Sequence, residues 1–177
     1  MKKFAMAAAT AALLLSVSTG ALAATGLGSV TSMSGSAATA DKAGSVTVNT
    51  TMCALELDDE GKIVSVSFDI AQNKIGFDAA GALTTDLAAE HPTKKELKEG
   101  YGMKGASSIG KEWYEQAEAL ENWCVGKTVA EVVGMPTYDK GDGHHTQVPD
   151  DVDLKSGCTI DVGSFLKAIQ AAANNAK

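Results

Sequence analysis

The chain has 177 residues, with 15 basic side chains, all of them lysine, against 22 acidic ones, for a net charge of −7. So acidic a balance, with no arginine, excludes the basic patches and bidentate forks on which nucleic-acid recognition rests. The length suits one domain able to bury a sizeable core.

The first 23 residues read as a cleavable secretory signal. Lys2 and Lys3 form a short positive n-region, an apolar stretch runs from Phe4 to about Val17, and Ala21-Leu22-Ala23 supplies an A-x-A cleavage site. Cleavage after Ala23 removes two lysines and no acid, which moves the net charge from −7 to −9. The expected location is therefore extracytoplasmic: periplasm, cell surface or secreted. No second apolar run follows, so the mature chain is expected to carry no transmembrane segment.

Residues 24–44 are rich in Gly, Ser, Ala and Thr and read as a flexible lead-in, with a short edge strand at 28–32. Residues 45–177 are expected to fold as a single domain. Val46 and Val48 alternate with polar residues, and Cys53, Leu55 and Leu57 alternate with Ala54 and Glu56. The inward phase slips near 50–52, which predicts a bulge or a strand buried on both faces. Asp58-Asp59-Glu60-Gly61 is a turn. After it, Val64, Val66, Phe68 and Ile70 point one way, with Ser65, Ser67 and Asp69 opposite them. The pair is an antiparallel hairpin with one wet face. A second, shorter hairpin is expected between 74–77 and 82–85.

Residues 86–107 are irregular apart from a helical turn near 94–97. A helix is predicted over 109–124, with Ser107 or Ser108 as its N-cap and Ile109, Trp113, Ala117, Leu120 and Cys124 on one stripe. Thr128 and Glu131 form a capping box for a short helix that ends at Gly134. Residues 138–151 make an acidic loop, and the last helix runs from near Asp161 towards Asn174. Strands first and helices later predict an α+β fold, an antiparallel sheet of hairpins with helices packed on one face.

The segment that carries chemistry is Asp153-Leu154-Lys155-Ser156-Gly157-Cys158-Thr159, directly before the last helix. A threonine hydroxyl can form a phosphoester, and a glycine two residues earlier lets backbone approach a phosphate. The helix that follows aims unpaired N–H groups and its positive dipole end at the same place, and Lys155 adds a charge. The segment resembles the D-x-x-[S/T]-G-A-T attachment sequence of the FMN-binding domain family. That resemblance extends weakly to the hairpin at 45–70 and to the glycine loop and helix at 100–123.

The resemblance implies an FMN-binding-domain-like fold and FMN joined through its phosphate to the Thr159 hydroxyl. Asp153, Ser156, Gly157 and Cys158 would complete the sequence read by a flavin transferase. It implies an extracytoplasmic electron carrier, more than an enzyme with its own substrate, that serves a membrane or surface redox partner. Tyr101 and Tyr114 flank the glycine loop and are the candidates for contact with the flavin ring, whereas Trp113 is expected in the core. Cys158 stands where the family has alanine, Thr159-Ile160-Asp161-Val162 replaces the usual T-x-T-S continuation, and the family's glutamate-threonine-proline-glycine loop is absent. The alternative is a non-catalytic exported binding or surface-interaction domain that retains the fold without flavin.

Other clusters point less far. Cys53, Cys124 and Cys158 are too widely spaced for a disulfide framework or a zinc site, and allow either one bridge with a free thiol or no bridge. His144 and His145 stand among Asp139, Asp142, Asp150 and Asp151, yet adjacent histidines in a wet loop usually hold no metal, and none is expected. Ser156 has no histidine–acid partner nearby in sequence, which argues against a hydrolase.

Overall fold

The computed structural model describes residues 24–177; the expected signal sequence lies outside the described residues. The domain is α+β. Three long strands, β1 (Ala24–Ser36), β2 (Gly44–Leu57) and β3 (Ile63–Phe77), form an antiparallel sheet in the order β1-β2-β3. Helices α1 (Lys94–Leu97), α2 (Trp113–Cys124), α3 (Val129–Val133) and α4 (Gly163–Asn174) follow, and a two-stranded ladder of β4 (Thr137–Tyr138) and β5 (Val148–Pro149) stands between α3 and α4. No helix among the described residues is long and apolar enough to cross a membrane.

The turn between β2 and β3 forms as its residues dictate. Asp58 Oδ1 accepts from Glu60 N and Lys62 N at 2.9 and 2.8 Å, and Gly61 takes a φ of +74°. The inward faces are Thr51, Cys53 and Leu55 on β2 and Ile63, Val66, Phe68 and Ile70 on β3. Two expectations of phase are corrected. The irregularity lies where Glu56 pairs Ser65 and Leu57 pairs Ile63, not at 50–52. Val64 is the extra residue there, so Ile63 turns inward at 2% exposure and Val64 turns out at 44%. β2 runs straight through 50–52, so Val46 and Val48 share the outer face with Met52 and Ala54.

Residues 24–36, expected as part of a flexible lead-in with a strand only at 28–32, form the full-length strand β1. It pairs with β2 in unbroken register from Ala24↔Leu57 to Ser36↔Ser45. The reason is tertiary. α4 lies so close over β1 that a Cβ on Gly28 would meet the backbone of Ala168 and Ala172. The small residues that read as coil are those the contact with the helix requires. The second hairpin is reduced to one bridge, Phe77↔Leu83, around an Asp78 turn with Gly81 at φ +83°.

α4 covers β1 and β2, and α2 covers β3, on the same face of the sheet. Phe165 of α4 sits at the centre, its ring 5.1 Å from Phe68 and 6.0 Å from Trp113. Glu121 of α2 reaches the far edge, where its carboxylate accepts from Phe68 N at 2.6 Å and pairs with Lys95 of α1 at 2.6 Å.

Cys53, Cys124 and Cys158 are all unbridged and at most 1% exposed. Burial raises the first two to about 12 and the third to about 11. A disulfide reagent at neutral pH should therefore find no reactive thiol in the native protein and three per chain in denaturant. The folded state binds these protons more tightly than the unfolded chain does. Stability is thus fully held below about pH 8.5, the ordinary thiol pKa, and falls as pH rises towards the folded values. Melting curves between neutral and strongly alkaline pH check the sign, and Cys124→Ala should flatten the slope.

Candidate functional site

The loop from Asp153 to Asp161 is pinned from below by one side chain. Gln116, on the buried stripe of α2, is fully enclosed. Its Oε1 accepts from Thr159 N at 2.8 Å and from Thr159 Oγ1 at 3.2 Å. Its Nε2 donates to Ser107 Oγ at 3.0 Å and to Lys111 O at 3.2 Å. Every donor and acceptor of the amide is thus used, and the loop before α2, α2 itself and the 153–159 segment are held in one network.

Two ammonium groups converge on the same segment. Lys140 Nζ donates to Thr159 O at 2.8 Å. A Cβ on Gly157 would stand 4.0 Å from Lys111 Nζ and 2.9 Å from the Ala119 side chain, so only glycine lets the loop lie this close to α2. Both lysines pull the Cys158 thiol down against the larger effect of burial. Lys155, expected to contribute a charge here, turns away to Asp150 at 2.8 Å.

The α4 terminus also departs from expectation. The helix begins at Gly163, two residues after Asp161, with Val162 in the N-cap position. Asp161 Oδ1 accepts from Gly163 N at 2.9 Å, while Oδ2 accepts from Thr146 N and Gln147 N, each at 2.9 Å. The carboxylate thereby takes the helix N–H that a phosphate would have used. Positive charge near Thr159 comes from Lys111 and Lys140 instead.

Beyond Ile160 and Asp161 opens a cleft of about 520 Å³. That volume lies within the range of about 300–1,000 Å³ usual for small-molecule sites. Its floor is the part of the sheet that α4 does not reach, with Ser32, Asn49, Thr51, Ile70 and Gln72. Tyr101, Met103 and Trp113 form one wall, and His144, His145 and Ser164 stand opposite or beside them along the rim. Lys94 Nζ lies 4.6 Å from the Tyr101 ring centre and 5.4 Å from that of Trp113, a cation over two aromatic faces.

Glu112 holds the aromatic wall. Its carboxylate accepts from Met103 N at 2.8 Å and Lys104 N at 3.0 Å, and it is also the N-cap residue of α2. The expected start of this helix at 109, capped by Ser107 or Ser108, is corrected. Gly110 takes a left-handed φ of +64°, which breaks a helix, and Ser107 Oγ accepts instead from Ile109 N, Lys111 N and Gln116 Nε2.

Of the residues singled out from the sequence, Tyr101 lines the cleft and Thr159 immediately precedes its Ile160–Asp161 side. Gly157 and Cys158 support the loop from within. Asp153 and Ser156 are exposed on its outer surface. Tyr114 does not line the cleft: its hydroxyl donates to Glu99 at 2.9 Å, which raises the phenol pKa. Trp113, expected in the core, is 3% exposed and also lines the cleft. His145 Nδ1 lies 2.7 Å from Asp142 Oδ2. The His144 and His145 backbone N–H groups hold the Asp142 carboxyl well below its usual range. No cluster of three or more metal-ligating side chains occurs among the described residues.

Gln116, Lys94, Lys111 and Lys140 carry much of this geometry and were not foreseen. Gln116 had a signal, a polar amide three residues after Trp113 and four before Leu120 on an apolar stripe. The lysines had none.

No family model matches the chain, and no solved structure matches it. It is 38% identical over 96 residues to a chlorophenol reductase of Desulfitobacterium hafniense. The match takes in 48% of this chain and 29% of that protein, so the chain spans less than a third of the relative it matches.

Proposed function

We propose that the protein is an exported FMN-binding electron carrier, its flavin tethered as a phosphoester to Thr159. One observation carries this reading: at the half-buried Thr159, Lys140 reaches the carbonyl, Lys111 approaches the neighbouring Gly157, and the adjacent Ile160 and Asp161 line an aromatic-walled cleft. The donor set suits a phosphate, since Lys111 and Lys140 supply charge and the Asp161 carboxylate is engaged by backbone N–H groups. The half-buried Tyr101 offers an aromatic contact for a planar ring, and Lys94, which lies over it, offers a positive charge beside it. When bound, the flavin supplies reversible one- and two-electron transfer.

The chain's own part is to present and hold. Asp153 and Ser156 lie on the surface, where a flavin transferase can read them. With a flavin dinucleotide as donor, the Thr159 hydroxyl would displace its nucleoside monophosphate and lose its proton, and the 3.2 Å bond to Gln116 would then be lost. The 2.8 Å bond from Thr159 N remains and keeps the loop in place. A covalent tether also suits export, because a freely exchanging cofactor would be diluted away outside the cell. The acidic surface favours a redox partner with a basic docking patch. The partial likeness to a reductase carries no part of this reading.

The test is the intact mass of protein made together with its flavin transferase. One FMN per chain is expected for the native protein and for Thr159→Ser, and none for Thr159→Ala. An unmodified native mass, without flavin absorbance, would overturn the reading in favour of a flavin-free binding domain.

A further inference from the structure

β1 is an edge strand whose outward backbone groups are covered over only part of its length. Thr25 exchanges hydrogen bonds with Lys177, at 3.0 and 3.1 Å, and Leu27 O accepts from Asn175 Nδ2 at 3.1 Å. These contacts show that the odd-numbered residues point their N–H and C=O groups away from β2. Beyond Leu27 the same groups of Ser29, Thr31, Met33 and Gly35 have no partner among the described residues.

Soluble proteins guard such edges with charge, proline or a bulge. β1 has none of these. Its 13 residues include no charged side chain and no proline, and its register with β2 is unbroken. Met33, in the middle of the open stretch, is 75% exposed.

We propose that this open edge pairs antiparallel with the same edge of a second copy, about a two-fold axis at Ser32. Using all four free residues of each strand fixes that centre, with Ser29 facing Gly35 and Thr31 facing Met33 across the seam. A register shifted towards Leu27 would collide with the segment that ends at Lys177. Self-complementarity selects the occupant: reversed, the free N–H and C=O groups of Ser29, Thr31, Met33 and Gly35 meet the same groups of a copy, and no charged side chain on β1 opposes the approach. The pairing joins two three-stranded sheets into one and brings the two exposed Met33 side chains together on the outer face. Ser32 also lines the cleft, so the two clefts flank the seam. Strand pairing alone buries less than the roughly 1,200 Å² of a stable interface, so the dimer is reversible and concentration-dependent.

Sedimentation of the purified protein over a wide concentration range is expected to show the average mass rising towards twice that of the monomer. Thr31→Lys, a charged edge residue of the kind that blocks pairing, should stay monomeric at the same concentrations while its melting temperature is retained. In the proposed register the two Ser32 residues form a non-hydrogen-bonded pair, with Cα atoms about 4.5 Å apart, within disulfide reach. Ser32→Cys should therefore cross-link under mild oxidation faster than Ser36→Cys, with the buried native cysteines contributing nothing. A monomeric mass throughout, dimerisation of Thr31→Lys equal to wild type, or equal cross-linking of the two cysteine variants would each overturn the proposal.

Discussion

Gly28→Val is expected to lower stability by about 3 kcal/mol or more, the upper end of what overpacking costs. The new side chain has nowhere to go. Its first carbon already meets the backbone of Ala168 and Ala172 and comes within 2.9 Å of the Ala171 carbonyl carbon. Backbone of a helix cannot swing aside as a side-chain tip can. α4 would have to lift from β1, exposing Phe165, Ile169 and Ala172, which are now buried. Urea titrations of Gly28→Val and of Ser29→Ala, which points to the open outer face, separate the contact from strand propensity. The alanine variant should lie within about 0.5 kcal/mol of wild type.

Gln116→Leu is expected to cost about 2–4 kcal/mol, although leucine matches glutamine closely in size. The substitution strands the Thr159 N–H and the Lys111 carbonyl at once, while Ser107 Oγ keeps the Ile109 and Lys111 N–H donors. Each buried group left without a partner costs about 1–3 kcal/mol. Thr159→Ala removes only the longer of the two bonds from that residue and should cost about 1 kcal/mol or less. The two variants thus separate anchoring from attachment. If the Thr159 reading holds, Thr159→Ala abolishes the added mass in a stable protein, whereas Gln116→Leu lowers both stability and the extent of modification. Equal melting temperatures for wild type and Gln116→Leu would show that the amide is not what fixes the loop.

The hairpin of β2 and β3 was legible because the alternation up to Ile70 reads as a strand and the Asp58–Gly61 turn precedes it; that β3 runs on to Phe77 was not, since 74–77 reads on its own as part of a second hairpin. The capping box at Thr128 and Glu131 was equally plain: Thr128 Oγ1 accepts from Glu131 N at 3.3 Å, and Glu131 Oε2 from Thr128 N at 2.7 Å. β1 was not legible along its length. Gly26 and Gly28 look like breakers until a helix backbone is laid on them, and that helix begins well over a hundred residues later. Val64 was misplaced because a bulge moves the phase by one residue, a shift that alternation alone cannot show when Ile63 and Val64 are both apolar. At the site, the 153–159 segment stood out by its residue types. The convergence of Lys111 and Lys140 on it depends on a loop path that no local pattern encodes.

The bonds between Thr25 and Lys177 have a consequence for how the molecule comes into being. Strand β1 is made long before α4, yet its glycine face is covered by α4, and its outward groups at Thr25 are met by Lys177. Contacts so distant in sequence close late and slowly. Until the final helical turn is present, the first strand has neither lid nor partner on that side. The first strand of the sheet is therefore the last part of the domain to be closed over, whereas the β2–β3 hairpin can form as soon as both its strands are made.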